Sequence, residues 1–342
     1  MEKFKLGSRF YYQTLSEKDK KVYRDIYDEW TKGKNKISIC VPGNGFITPS
    51  GTEIHEIVKF VVNENPHIFH LETTQFSYLR RGSYVEIATD EIYTGEEYAI
   101  IYNKLLTRVD NIMKKINFIQ GDAKKLQYIH NYLAENVVYD YGAPDKKSQR
   151  EVHTIVGSLL NGACVCDGYA RAFRLLCDQA HISNIVVVGV AIDEDDSGPH
   201  AWNIVKLNGI PYQVDVTWDS NLSKGEDEIK DYYYLRGDAQ FSSTHKWDKK
   251  FYPTCSLDFP RNYPLLKDKY QLEEYVCKLV SNGKNRFIVY LDKGFPNKQV
   301  FRDLINTIMN RNKKIFKPYR SYTFSFYEKM SLFTYVELEF LT

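Results

Sequence analysis

The sequence has few of the features that mark secreted, membrane-spanning or nucleic-acid-binding proteins. Six cysteines in 342 residues are too sparse for a disulfide framework. No apolar run approaches the length of a membrane-spanning helix, and the first seven residues lack the apolar core of a signal peptide. The 46 basic and 44 acidic side chains nearly cancel, which gives no electrostatic case for nucleic acid. We therefore expect a cytoplasmic protein with reduced thiols that binds neither nucleic acid nor membrane.

The length and composition are those of a soluble globular protein with more than one domain. Hydrophobic residues make up 43% of the chain and charged residues 26%. The pattern of helices and strands predicts three regions: an N-terminal α+β layer over residues 1–118, a middle core over 119–260 and a small C-terminal α+β module over 261–342. Neither flanking region carries a convergent set of histidine, cysteine and carboxylate residues.

The flanking regions are predicted element by element from periodicity and turn residues. In the N-terminal region we expect a helical stretch over 10–30, a strand over 37–41, a helix over 53–63, a hairpin of strands over 78–88 and 93–101, and a helix over 103–116. In the C-terminal region we expect a linker over 259–264, helices over 272–280 and 299–309, and strands over 287–291, 321–326 and 332–340.

One cysteine stands at the beginning of a predicted amphipathic helix. After Cys166, small or apolar residues recur at spacings of three and four, namely Ala170, Phe173, Leu176, Cys177 and Ala180. The unpaired N–H groups and the dipole at a helix N-terminus favour an anion, so a thiol placed there loses its proton more easily. A lone cysteine is more often a buried structural residue, so this feature needs partners to indicate chemistry.

Those partners come from a predicted hairpin. Asn208-Gly209 between two apolar runs is a strong signal for a two-residue turn. In that register Leu207 faces Ile210, and the partners further out are Trp202 with Asp215 and His200 with Thr217. Side chains alternate along a strand, so His200 and Asp215 lie on one face as diagonal neighbours. A helix-terminal Cys166 in front of that pair would complete a Cys–His–Asp relay.

Three blocks of this chain resemble the transglutaminase-like superfamily, whose pattern is Gly-x-Val-Cys-x-Gly-Tyr-Ala, then His-Ala-Trp-Asn, then Val-Asp-x-Thr-Trp-Asp. Here the blocks read Ala163-Cys164-Val165-Cys166-Asp167-Gly168-Tyr169-Ala170, His200-Ala201-Trp202-Asn203 and Val214-Asp215-Val216-Thr217-Trp218-Asp219. The resemblance covers roughly residues 121–260. It implies a papain-like α+β core, with a nucleophile helix packed on an antiparallel sheet, and a catalytic triad of Cys166, His200 and Asp215. Cys164 departs from the pattern, because the family usually has a small unreactive residue there.

Other roles for the polar residues of the core are weaker. Cys164 and Cys166 with His200 lack the Cys-x-x-Cys spacing and the fourth ligand of structural zinc, and His55, His67 and His70 have no partner at ligand spacing. We expect no metal or other cofactor, and no calcium, since no calcium-type ligand loop is present. Cys164 is predicted to be a small buried residue, and His130 a hydrogen-bonded core histidine.

The expected chemistry is acyl transfer at an amide of a peptide or protein. Cys166 would attack the carbonyl, His200 would protonate the leaving amine and Asp215 would orient His200. Tyr139 is the candidate oxyanion donor and Tyr141 is its neighbour, although both could simply pack. An amine acceptor would make the protein a transglutaminase, and water would make it a cysteine protease or amidase. A non-catalytic binding or scaffold protein that retains the fold is the alternative of another class.

Overall fold

The structure is a computed structural model, and its architecture is mixed, with 46% of residues helical and 23% in strands, which confirms the predicted α+β class. Within the described ranges, no helix combines the length and the apolar character that crossing a membrane requires. The structure describes residues 4–5, 7–41, 46–142, 146–192, 197–223, 231–258, 265–292, 297–329 and 333–342.

The chain divides into two compact units, which are described separately. The first contains Met1–Ala191, Gly198–Phe241 and Trp247–Asp258, and the second contains Ile192–Ser197, Ser242–Lys246 and Phe259–Thr342. The predicted boundary between residues 118 and 119 lies inside the first unit, and the division into three regions stays a prediction. The predicted linker over 259–264 lies outside the described residues.

The first unit opens with two helices where the sequence predicts one continuous helical stretch. Ser16 is extended, and its hydroxyl accepts a hydrogen bond from the Asp19 N–H at 3.2 Å, so it caps the second helix. A small antiparallel sheet in the order β1-β3-β2 follows, and buried apolar side chains such as Trp30 join it to the helices. The elements are α1 Phe10–Thr14, α2 Glu17–Thr31, β1 Lys36–Cys40, α3 Ile54–Glu64, β2 Ser77–Arg81 and β3 Tyr84–Ala88.

The prediction of two strands over 78–88 and 93–101 was wrong. The hairpin is formed by residues 77–88 alone, because Gly82 adopts φ +60 and reverses the chain between β2 and β3. Residues 95–101 begin a long helix instead, α4 Gly95–Ile116. Thr94 is extended before this helix, and the acidic side chains of Glu96 and Glu97 in its first turn interact favourably with the positive end of the helix dipole. These local features are compatible with a helix, and the rings of Tyr98 and Tyr102 on this helix also pack on Phe69.

The middle of the chain follows the predicted order closely. The helix predicted over 122–136 is present with those bounds, whereas the short helix predicted over 154–160 is a π-helix displaced toward Gly162. The elements are α5 Asp122–Asn136, β4 Val138–Tyr139, α6 Lys146–Glu151, the π-helix Gly157–Asn161, β5 Ala163–Cys164, α7 Cys166–Gln179, β6 Asn184–Ile192, β7 Ser197–Leu207, β8 Ile210–Val214, α8 Val216–Ser223 and α9 Asp238–Phe241.

The predicted hairpin register is confirmed where the strands exist. Leu207 pairs with Ile210 and Asn203 with Val214 in antiparallel β7 and β8. The pairing of His200 with Thr217 was wrong, because β8 ends at Val214 and α8 begins two residues later. The predicted strand over 232–235 was also wrong. That stretch is a turn in which Leu235 adopts φ +55, and a single bridge joins Arg236 to Gln213.

The nucleophile helix of the prediction packs on the sheet that runs in the order β8-β7-β6. Ala170 of α7 meets Val186 of β6 and Ala201 of β7 in one buried cluster. The Asn203 amide donates a hydrogen bond to the Ala170 carbonyl at 3.0 Å, and Arg174 donates to the Asn184 carbonyl at 2.9 Å. Small side chains let the helix approach closely, and these two bonds fix its orientation on the sheet.

The second unit has its own core and contains both helices and strands. Its main sheet has the order β10-β11-β13-β12, and the pairing of the last two strands is as predicted, with Leu332 outside the described residues. Leu272, Phe301 and Val336 are among its fully buried residues. The elements are β9 His245–Lys246, β10 Leu265–Leu266, α10 Lys269–Ser281, β11 Arg286–Asp292, α11 Lys298–Arg311, α12 Lys313–Phe316, β12 Ser321–Lys329 and β13 Phe333–Leu341.

Candidate active site

Cys166 is the first residue of α7, as the sequence pattern predicts. Gly162 turns the chain with φ +72, and β5 then runs parallel to β4, with Tyr139 opposite Cys164. Val165 is extended, and its carbonyl accepts the first helical hydrogen bond, from the Tyr169 N–H at 3.1 Å. The thiol therefore lies at the first turn of the helix, where the backbone N–H groups have no carbonyl partner within the helix.

The glycine and tyrosine of this motif have structural reasons. A Cβ on Gly168 would lie 2.4 Å from the Val152 carbonyl oxygen and 2.6 Å from the Cys164 Cβ, so only glycine fits without movement of the backbone. The Tyr169 hydroxyl donates to the Val137 carbonyl at 2.6 Å and lies 2.9 Å from the Ser220 hydroxyl. These contacts hold the beginning of α7 against the segment that leads into β4.

His200 and Asp215 come together at one end of the β7–β8 hairpin. His200 Nε2 lies 2.7 Å from Asp215 Oδ2, and both residues are buried. Asp215 is fixed on two further sides, because its Oδ1 accepts from the Trp218 N–H at 3.2 Å and its own N–H donates to the Tyr233 carbonyl at 2.9 Å. The register predicts this proximity even though Asp215 lies just beyond the strand.

Two tryptophans hold the His200 ring. Trp202 is nearly parallel to it, with centroids 5.9 Å apart and 24° between the planes, and Trp218 lies at the same distance and 45°. The Trp202 indole N–H donates to Gln213 Oε1 at 2.8 Å, so this ring is itself fixed. The second and third sequence blocks thus supply the walls of the site as well as the His–Asp pair.

Cys166 completes the group of three. It is half-buried, it packs against Ala170, Val186 and Ala201, and it lies close enough to His200 to influence the titration of the imidazole. Burial alone would lower the pKa of His200. The charge and hydrogen bond of Asp215, with a smaller contribution from Cys166, outweigh burial and raise that pKa to about 10. The geometry therefore favours an imidazolium beside the sulfur through neutral pH.

Tyr139 lies close enough to the thiol for Cys166 to influence its titration. Burial, followed by the nearby Cys166, raises the pKa of Tyr139 to about 12, so its hydroxyl remains a proton donor at neutral pH. Its ring contacts the ring of Tyr141 at 4.9 Å between centroids, and Tyr141 is 79% exposed. Tyr139 is within electrostatic range of the thiol, and its catalytic role stays a prediction.

The structure separates Cys164 from Cys166. Cys164 has no exposed surface, and burial together with the Asp167 charge raises the pKa of its thiol well above the ordinary value. It is a small buried residue, as expected. Of the two cysteines in the motif, only Cys166 has an exposed surface and a histidine partner.

Residues 110–218 match the family model described as the Transglutaminase-like superfamily. This segment is a transglutaminase-like domain. It contains all three members of the Cys–His–Asp group and both tryptophans around His200. The family match covers about a third of the chain.

Two curated relatives align with more of the chain than the transglutaminase-like domain alone. The kyphoscoliosis peptidase of Mus musculus is 28% identical over 201 residues, and that of Homo sapiens is 28% identical over 200 residues. Each alignment takes in 55% of this chain and 28% of the relative, so the match spans less than a third of these proteins. A solved structure of a TGase aligns at 16% identity, with 68% of this chain and 58% of that chain covered and a TM-score of 0.28.

The first unit also contains two histidine–carboxylate pairs that the sequence did not reveal as pairs. His130 is fully buried, as predicted, and its Nε2 lies 3.0 Å from Asp219 Oδ2, the last residue of the third block. His153 Nδ1 lies 2.9 Å from Asp167 Oδ1, directly after Cys166. Both carboxylates stand in the quoted blocks, which was the available signal, but their partners lie 89 and 14 residues away.

Proposed function

We propose that this protein is a thiol acyl-transfer enzyme acting on an amide of a peptide or protein, with Cys166, His200 and Asp215 as its triad. The observation that supports this most is the 2.7 Å contact between His200 Nε2 and a fully buried Asp215, with Cys166 at the start of α7 close enough to His200 to contribute to its raised pKa. A carboxylate, an imidazole and a thiol in that order at a helix N-terminus match the requirements of nucleophilic catalysis.

In the proposed reaction the Cys166 thiolate attacks the amide carbonyl and forms a C–S bond. His200 then gives its proton to the amine nitrogen as the C–N bond breaks, which leaves an acyl-enzyme and a neutral imidazole. An amine or a water molecule gives its proton to His200, attacks the thioester and releases Cys166. Asp215 stabilises the imidazolium and fixes the ring so that Nε2 faces the carboxylate and the other nitrogen faces sulfur.

Tyr139 is the proposed donor to the oxyanion of the tetrahedral intermediate. Its hydroxyl stays protonated at neutral pH, and it is close enough to Cys166 to feel its charge. The backbone N–H of Cys166 is the other proposed donor, whereas the Gly168 N–H already donates to Asp167 Oδ1 at 3.1 Å. Together they would stabilise a negative charge that exists only after the thiolate has attacked.

Hydrolysis is the second candidate outcome for the acyl-enzyme. The curated relatives are called peptidases, which favours water as the acceptor, whereas the family description favours an amine. A non-catalytic scaffold is the third candidate, and the intact, hydrogen-bonded triad argues against it. A cytoplasmic location and the absence of a cofactor stay predictions.

The first test is alkylation by substoichiometric iodoacetamide at pH ~6, where an ordinary thiol with a pKa of about 8.5 is mostly protonated. Peptide mapping then reports the label on each cysteine. We expect label on Cys166 and little on Cys40 and Cys277, which have the same intermediate exposure and serve as internal controls. Label spread evenly over the three would contradict the proposal.

Activity is then measured on a peptide library and on casein with and without a fluorescent primary amine. Cys166→Ala and His200→Ala should each abolish turnover while circular dichroism stays unchanged. Incorporation of the amine would identify a transferase, and new peptide termini would identify a hydrolase. Selective labelling of Cys166 with neither product would favour the scaffold.

A further inference from the structure

The residue that follows the nucleophile is an acid, which is an electrostatic problem for the proposed chemistry. Asp167 lies in the first turn of α7, directly after Cys166. Its charge is the largest charged contribution to the raised pKa of the neighbouring Cys164 thiol, second only to burial. A carboxylate so placed repels a negative charge on a neighbouring residue.

Two cationic groups hold that carboxylate. His153 Nδ1 lies 2.9 Å and 3.0 Å from the two Asp167 oxygens, and Arg171 Nη2 lies 3.9 Å from Oδ2, one helical turn along α7. Burial alone would lower the pKa of His153, but the hydrogen bond and charge of Asp167 outweigh burial and raise it above its ordinary value.

Hydrogen bonds to backbone carbonyls connect the segment that contains His153 to Val165, just before Cys166, and to α7. The Val165 N–H donates to the Val152 carbonyl at 3.1 Å, and Arg171 donates to the His153 carbonyl at 2.7 Å. Arg171 is also held by the Thr73 hydroxyl at 2.7 Å and is 6% exposed. His153 and Arg171 are therefore positioned on Asp167 by the same contacts that shape the beginning of α7.

We propose that His153 is a positioning residue of the active site: with Arg171 it neutralises Asp167, so that the acid beside Cys166 does not oppose formation of the thiolate. His153 touches neither substrate nor sulfur in this role, and it acts through Asp167. The inference rests on the proposed function, because it concerns the reactivity of the same thiol. The inference adds the His153–Asp167 pair to the His200–Asp215 pair of the candidate site, and the effect of His153 on the thiolate is indirect.

Other charged groups also face this cluster and must be held constant. Glu72 contributes to the raised pKa of His153, and Arg171 lowers it. The thiol itself is faced by His200, which Asp215 pairs, and by Tyr139 and Cys164. Substitutions confined to His153 and Asp167 leave all of these groups in place.

The test is the pH profile of Cys166 alkylation by iodoacetamide between pH 5 and 10, read by peptide mapping, in four variants. His153→Gln should move the midpoint upward by roughly one pH unit, which is about a ten-fold loss of reactivity at pH ~6. Asp167→Asn should react at pH ~6 at least as fast as the wild type. The double variant should return close to the wild-type midpoint, because both charges are gone.

His55→Gln is the matched control, because His55 forms a similar pair with Glu53 at 2.8 Å on an exposed surface. Circular dichroism checks the fold of each variant. Three results would each overturn the inference: a midpoint that does not move in His153→Gln, slower alkylation in Asp167→Asn, or additive losses of reactivity in the double variant. A merely structural role of His153 predicts no return of the double variant to the wild-type midpoint. A wild-type Cys166 without selective labelling at pH ~6 would refute the proposed function instead.

Discussion

Replacing Asp215 by asparagine removes one charge from the candidate site and one of two acceptor oxygens, because Oδ1 accepts from the Trp218 N–H at 3.2 Å and an amide nitrogen cannot. The asparagine oxygen can still accept a hydrogen bond from His200 Nε2, which is 2.7 Å from Oδ2 in the structure. The imidazolium loses its carboxylate, whose charge and hydrogen bond outweigh burial in raising the pKa of His200 to about 10. The variant therefore tests the charge of Asp215 while it keeps an acceptor for His200 Nε2.

The magnitude follows from the distance and the burial of the pair. An opposite charge this close, inside the protein, shifts a pKa by roughly 1–3 units. We take about 2 units, or about 3 kcal/mol, as the effect of Asp215 on His200, because Cys166 supplies part of the rise. A raised pKa means that the imidazolium is lost as pH rises through that value. The alkaline limit of activity should therefore move from about pH 10 to about pH 8 in Asp215→Asn.

The assay is the pH dependence of turnover on a fluorogenic peptide amide, with Cys166 alkylation measured in parallel. Asp219→Asn is the matched control, because it changes a buried carboxylate 3.0 Å from His130 Nε2 without touching His200. An unmoved alkaline limit in Asp215→Asn, or an equal shift in Asp219→Asn, would refute the reasoning. The same sign applies to folding: the stabilisation from the pair is fully present below pH ~6.5 and disappears as pH rises through the raised pKa of His200.

Three further substitutions test the surroundings of the site. Gly168→Ala should lower the free energy of unfolding by more than about 2 kcal/mol in urea denaturation, because its Cβ would lie 2.4 Å from a backbone oxygen, whereas Gly198→Ala, with open space around it, should cost little. Tyr169→Phe should cost about 1–2 kcal/mol in the same assay, since its buried hydroxyl bonds are lost, and should leave Cys166 alkylation intact. Tyr139→Phe should lower kcat about 100-fold without changing Cys166 alkylation, and an equal loss in Tyr141→Phe would contradict the role of Tyr139 as oxyanion donor.

Local sequence was sufficient where a pattern and its boundary signals agree. The bounds of α5 were predicted because its apolar residues recur with helical period up to Asn136. Asn208 and Gly209 both adopt positive φ, as their turn requires, and this fixed the register that brings His200 to Asp215. The three sequence blocks located the candidate site without any knowledge of the packing.

Where prediction failed, contacts between distant residues determine the structure. Residues 93–101 alternate like a strand, but the segment becomes a helix whose Tyr98 and Tyr102 rings pack on Phe69. The stretch 232–235 is rich in tyrosine and turns instead, since the Tyr233 carbonyl accepts from the Asp215 N–H and the following residue, Arg236, exchanges backbone hydrogen bonds with Gln213. The pairing of His153 with Asp167 depends on how the loop before the π-helix folds back, which no local pattern encodes.

The backbone at Asp215 and the backbone around Tyr139 should differ in their rates of amide hydrogen exchange. Asp215 is fully buried just after β8, and its N–H donates to the Tyr233 carbonyl. Exchange of this amide hydrogen should therefore require opening on the scale of the whole unit. Tyr139 stands on a strand of two residues beside exposed Val138 and Tyr141, whose amides can open locally. A substrate would thus meet a preformed His200–Asp215 pair and a more adaptable segment around Tyr139. Among related chains, sequence differences that change selectivity should accumulate in that adaptable segment.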